Sequence, residues 1–239
     1  MKPYFGIRIS TYKRKTGTFH LLGRCLKSIL NQTFDNWKIF LIGDHYSSNE
    51  EFETLVRLIP PGKIYSQNLT YSPERAKYSG SKLWAVAGFT ASCIGLKKIQ
   101  EEQIPVHVAL DDDDYWTNDH LQILWEHYRD FPESAFIYTR STYKNNFLPK
   151  EILPLRYNNL PPKAYNLVHS SASWNINKIP LMYKNIIEVK SNLVAGDAWM
   201  WEEIRNYCDK NNLKTLYIPK ITVKHDAEHG NYNVEPMLL

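Results

Sequence analysis

Over residues 6–12 apolar and polar positions alternate with a period of two, which predicts a strand. Leu22, Leu26, Ile29 and Leu30 then recur at the spacing of one helix face, predicting a helix over 18–32. Residues 37–42 form a nearly continuous apolar run, a more buried strand that Gly43 and Asp44 end. Ser48 and Glu51 have capping-box spacing, so a helix is expected over 49–58, stopped by Pro60, Pro61 and Gly62. A short strand at 63–66, a long helix over 81–100 and a strand at 105–110 follow. After Thr117, Leu121, Leu124, Trp125 and Tyr128 mark one more helix face.

Strand and helix patterns in strict alternation predict an α/β fold with a mostly parallel sheet and helices on both faces. In such sheets ligands collect beyond the carboxyl ends of the strands. Asp44 and the consecutive aspartates Asp111, Asp112, Asp113 and Asp114 stand at such ends. The second half is less regular. Strands are expected at 135–138, 167–174, 216–218 and 221–223, a loop over 145–165, and a helix from Gly196 to about Asn211. With no internal repeat and no linker, a single domain over 1–239 is expected, with a nucleotide-binding half at 1–114 and an acceptor and catalytic half at 115–239.

Composition changes this picture little. The 239 residues carry a net charge of +4, with basic and acidic residues interspersed, which argues against a nucleic-acid partner. Cys25, Cys93 and Cys208 are far apart and odd in number, as expected of reduced thiols in a cytoplasmic protein rather than a disulfide framework or zinc site. No stretch reads as a signal peptide or transmembrane span, although peripheral membrane contact stays open, and oligomeric state is unreadable.

The acidic run carries the candidate chemistry. Carboxylates at the tip of a buried strand are unfavourable unless a cation or hydrogen bonds compensate them. A solvated aspartate-rich turn is one reading. An EF-hand calcium loop fails, because its sixth position is Trp116 and its twelfth Gln122. An aspartyl nucleophile lacks its usual companions. A hard divalent ion shared between carboxylates and a nucleotide diphosphate is the third reading, and Asp111 and Asp113 have the alternate spacing that suits it.

Four segments in order, Ile9 to Arg14, Leu41 to Ser48, Leu110 to Trp116 and Gly196 to Trp201, resemble the family-two type of GT-A glycosyltransferase. The residues from Arg24 to Thr33 also fit that family's first helix. The resemblance implies a GT-A fold and an inverting, metal-dependent transfer of sugar from a nucleoside-diphosphate sugar to a glycan or glycoconjugate hydroxyl. It implies that Tyr12 flanks the base with Thr11 beside it, and that Asp44 accepts a hydrogen bond from the base. Asp111 and Asp112 would face the donor, Asp113 would ligate Mn²⁺ or Mg²⁺, and Asp197 would be the catalytic base. His225 is the candidate C-terminal metal ligand, and Arg14 lies where a diphosphate is expected.

The chain departs from the pattern in three places. Ser10 stands where proline is frequent, Gly43 replaces an acid, and the Ala-Arg-Asn pattern before the metal strand is absent, which leaves Lys82 as its substitute. Ordinary roles compete throughout: a helix cap for Asp197, a solvated basic loop for Lys13 to Lys15, a solvated tail for His225, and core packing for Trp174, Trp199 and Trp201. Ser170 and Ser171 lie where the family forms its acceptor pocket. The rival functions are an inactive nucleotide- or glycan-binding module and a sugar-nucleotide pyrophosphorylase, the latter disfavoured because no glycine-rich loop follows the first strand.

Overall fold

The computed structural model describes residues 2–150, 156–157, 166–180 and 196–225. Its first half runs β1 (Phe5–Thr11), α1 (Thr18–Leu30), β2 (Trp37–Gly43), α2 (Asn49–Val56), β3 (Ile64–Asn68), α3 (Pro73–Lys77), α4 (Gly80–Val86), α5 (Phe89–Glu101) and β4 (Val106–Ala109). The second half runs β5 (Tyr115–Trp116), α6 (His120–Asp130), β6 (Ser134–Tyr143), β7 (Asn146–Leu148), β8 (Arg156–Tyr157), β9 (Ala172–Asn175), α7 (Gly196–Lys210) and β10 (Lys214–Lys224).

One sheet takes the order β3-β2-β1-β4-β9-β6-β10-β5, with β7 on β6 and β8 on β10. The strands β3, β2, β1 and β4 pair in parallel. Their apolar runs point both ways: Ile39 and Leu41 join one core with α1, α2 and α6, while Phe40 joins another with α5 and α7. Burial on both faces is what a parallel strand requires, and each fully buried Ile, Leu or Phe contributes about 1.5–3 kcal/mol.

The structure corrects the expected elements in several places. The helix over 81–100 is two helices, α4 and α5. Ala87 leaves the helical region and Gly88 takes a φ of 73°, a left-handed conformation that glycine holds without strain. Apolar periodicity continues across the break, so periodicity alone hides it. The strand expected over 167–174 starts later, as a 3-10 turn at His169–Ser171 followed by β9. β9 runs antiparallel to both β4 and β6 and so joins the two halves of the sheet. The two terminal strands are one, β10, whose register slips between Ile218 and Ile221. Pro219 lies in that slip and offers the ladder no N–H. Within the loop expected over 145–165, β7 and β8 are short strands, and the remainder beyond residue 150 lies outside the described residues.

Candidate active site

The carboxyl ends of β1, β2 and β4 meet at one edge of the sheet. The Asp44 N–H donates to the Thr11 carbonyl at 2.7 Å and the Leu110 N–H to the Arg8 carbonyl at 3.1 Å, so strand pairing itself delivers Tyr12, Asp44 and the acidic run side by side. Gly43 explains one departure from the family pattern. A Cβ there would sit 2.9 Å from Asn68 Oδ1 and 3.0 Å from Phe52, leaving no room for an acid.

Two arginines flank the Tyr12 ring, with the Arg14 and Arg75 guanidinium carbons 4.4 and 4.6 Å from its centroid. Arg75, on α3, donates from Nε to Asp44 Oδ2 at 2.8 Å. Asp44 Oδ1 and one terminal nitrogen of Arg75, Nη2, are buried without a hydrogen-bond partner among the described residues. A buried acceptor next to a buried donor is unfavourable until something satisfies both. Sequence reading missed Arg75. Its helix is held by Glu74, a buried side chain that accepts the Thr90 N–H at the start of α5.

The carboxylates of the acidic run differ in their partners, and Asp112 and Asp113 share Arg14. Asp112 is buried and takes a two-pronged contact from Arg14 at 2.7 and 2.6 Å, plus the Thr11 hydroxyl at 2.7 Å. Thr11 in turn accepts from the Tyr46 hydroxyl at 2.8 Å. Arg14 and Thr11 thus hold the inner aspartate of the run and are not free to meet a ligand first. Asp114 is fully buried, accepts from Ser170 Oγ at 2.5 Å and contacts His225 Nδ1 at 2.7 Å. Burial would lower the His225 pKa, but the hydrogen bond and charge of Asp114 raise it to about 9. The Tyr143 ring stacks on His225 at 4.9 Å.

Asp113 is the least compensated of the four. Among the described residues its only side-chain hydrogen-bond partner is the Arg14 guanidinium at a long 3.3 Å, and its side chain is 28% exposed. Burial, then the charges of Asp112 and Asp114, push its carboxyl up to about 7. Asp111 differs. Burial would raise its pKa, yet the adjacent His169 and, beyond it, Arg8 hold it below the ordinary carboxylate range. His169 Nδ1 lies 2.9 Å from Asp111 Oδ1, and the Asp111 N–H donates to Ser170 Oγ at 3.0 Å. Neither His169 nor the anchoring role of Ser170 was legible from the sequence, because both depend on a turn packing across β4.

Other candidates lie apart. Lys82 is exposed on α4 and takes no part in the hydrogen bonding of the run among the described residues. Lys13 pairs with Glu51 at 2.7 Å. Trp174 and Trp201 are core residues, 1% exposed each. Asp197 falls in the first turn of α7, but its side chain, like that of Trp199, lies outside the described residues. Among the described residues no three His, Cys, Asp or Glu side chains form a ready coordination shell, and no helix is long and apolar enough to cross a membrane.

No family model matches the chain. An uncharacterized glycosyltransferase, R139 of Acanthamoeba polyphaga mimivirus, is 38% identical over 236 residues, which is 94% of each chain. Among solved structures, S. aureus TarS 1-349 in complex with UDP-GlcNAc superposes with a TM-score of 0.64 at 11% identity, covering all of this chain and 62% of that one. A longer TarS chain gives 0.63 over 95% of this chain but 37% of its own length, so the present chain spans less than two thirds of either. The likeness to TarS is one of fold.

Proposed function

Because this chain belongs to the glycosyltransferase family, we propose that it is an inverting, metal-dependent member that moves a sugar from a uridine-diphosphate donor to a hydroxyl acceptor. The observation that carries this reading is the buried pair of unsatisfied atoms beside Tyr12, Asp44 Oδ1 and Arg75 Nη2. An acceptor next to a donor complements the N–H and adjacent carbonyl of a uracil edge, with the Tyr12 ring alongside for stacking. A cytosine or adenine edge offers the reverse pattern. The solved neighbours that hold UDP-GlcNAc and UDP agree with this choice.

The acidic run lies where the diphosphate would follow. Its donor set fits Mn²⁺ or Mg²⁺: hard carboxylate oxygens, with one carboxylate, Asp113, raised to about 7 by burial and then by neighbours of like charge. Such ions are commonly held by one or two side chains plus substrate phosphates, so a complete protein shell is not required. Asp113 and His225 would hold the ion, with Asp114 orienting the His225 ring through Nδ1 as carboxylates orient ligating histidines. When bound, the ion would neutralise charge that develops on the leaving diphosphate.

The chain's own residues do the rest. Asp111 faces the donor, the Arg14–Asp112 pair braces the loop after β1 against the run, and Asp197 takes the proton from the acceptor hydroxyl. One base opposite the leaving group gives inversion, by the geometry that governs glycoside hydrolysis. A thermal-shift panel of nucleotide sugars with and without Mn²⁺ tests the reading. UDP-sugars should raise the melting temperature, more so with Mn²⁺, while CDP and ADP should not. Equal shifts for all nucleotides, or none, would reject the proposed base recognition.

A further inference from the structure

We propose that His169 is a positioning residue that fixes the Asp111 carboxylate for the nucleotide-sugar donor; the inference rests on the donor reading above. Arg8 is a buried side chain of β1, and its Nη1 donates to Ser92 Oγ at 2.9 Å and Ser10 Oγ at 3.2 Å. Its Nη2 lies 2.8 Å from His169 Nε2 and 3.5 Å from Nδ1. A carboxylate oxygen can only accept, so the Nδ1 that faces Asp111 must carry a proton. That N–H points at Asp111 Oδ1, 2.9 Å away. Trp201 of α7 meets the imidazole ring edge-to-face at 5.3 Å, which limits its rotation.

The consequence is that Asp111 is oriented from two sides. Its backbone N–H is tied to Ser170 Oγ, and its Oδ1 to the residue just before, His169. Among the described residues Oδ2 is the oxygen left for a ligand. The Asp111 side chain is 41% exposed while that of His169 is 7% exposed, so the histidine supports the carboxylate from the interior. Without that support a carboxylate in a run of four would turn away from its neighbours, and a donor would have to restore its direction on binding.

Two measurements test this. Imidazole ¹⁵N NMR of the nucleotide-free protein reads the protonation of each ring nitrogen, with a proton on Nδ1 expected; a bare Nδ1 overturns the proposal. Calorimetry of UDP with Mn²⁺ reads the role, using two amide variants that divide the histidine's contacts. His169→Asn keeps an N–H near the Nδ1 position and should bind within about threefold of wild type. His169→Gln reaches Arg8 but not Asp111 and should bind about tenfold more weakly, at a melting temperature like that of the Asn variant. Full affinity in His169→Gln, or equal loss in both variants, removes the positioning role while leaving the donor reading intact. If the wild type itself fails to bind UDP, the donor reading falls first and takes this proposal with it.

Discussion

The two ends of the site are built on opposite principles. Around Tyr12, Asp44 and Arg75 the charges are balanced, since the one carboxylate has its arginine, but individual atoms lack hydrogen-bond partners. Around Asp111 to Asp114 each carboxylate has a hydrogen-bonding partner, but the charge is out of balance, and burial together with the charges of Asp112 and Asp114 raises the Asp113 pKa. The first region is suited to a neutral ligand with complementary edges, the second to a cation. Hydrogen bonds confer shape selectivity; a local excess of charge confers affinity for an ion. The donor proposed above, a nucleoside diphosphate with its metal, would satisfy both.

Four substitutions would break or sharpen that contrast. Asp197→Asn should have the largest effect, lowering sugar transfer about 10³-fold in a coupled assay while UDP affinity by calorimetry stays near wild type. Transfer at the normal rate would remove Asp197 as the base. Asp113→Ala should weaken UDP binding about a hundredfold with Mn²⁺ present and leave uridine binding unchanged. If UDP binds as well with Mn²⁺ as before, the ion is held elsewhere.

The frame beneath the acidic run has its own signature in pH. His120 is fully buried, with Nδ1 on the Thr222 hydroxyl at 2.7 Å, and burial lowers its pKa to about 3. Its folded-state pKa lies below the unfolded value near 6.5, so the stability it contributes is present at neutral pH and lost as pH falls from there toward 3. His120→Gln should therefore be destabilised at pH 7.5, with the gap to wild type narrowing by about 2 kcal/mol at pH 5 in urea unfolding. A gap that stays constant would mean the ring is protonated without penalty in the fold. The smallest effect belongs to Arg75→Ala, which should weaken UDP and uridine alike by about tenfold and leave the Mn²⁺ dependence unaltered. A loss confined to UDP would place Arg75 on the phosphates instead of the base.

Much of this was legible in the linear chain, because local rules decide it. Alternation over β1 and the apolar run of β2 identify strands, and Ser48 does cap α2 by accepting the Glu51 N–H. Asp44 and the acidic run were placed at strand ends, and the structure has them there. What stayed hidden was long-range. Arg75 and Asp44 are 31 residues apart, His169 and Arg8 are 161 apart, and no periodicity links such pairs. The break at Gly88 was hidden for another reason, since a single left-handed residue leaves the apolar pattern unchanged on either side.

The chain by itself therefore determined the α/β fold and the strand ends at which Asp44 and the acidic run stand, since these follow from side-chain period and strand termination. Only the folded structure decided which of those carboxylates are already neutralised, which one is crowded, and which buried donor and acceptor are left open. Those properties arise from through-space burial and pairing, and they exist only once β9, α3 and the turn at His169–Ser171 have packed against the parallel strands.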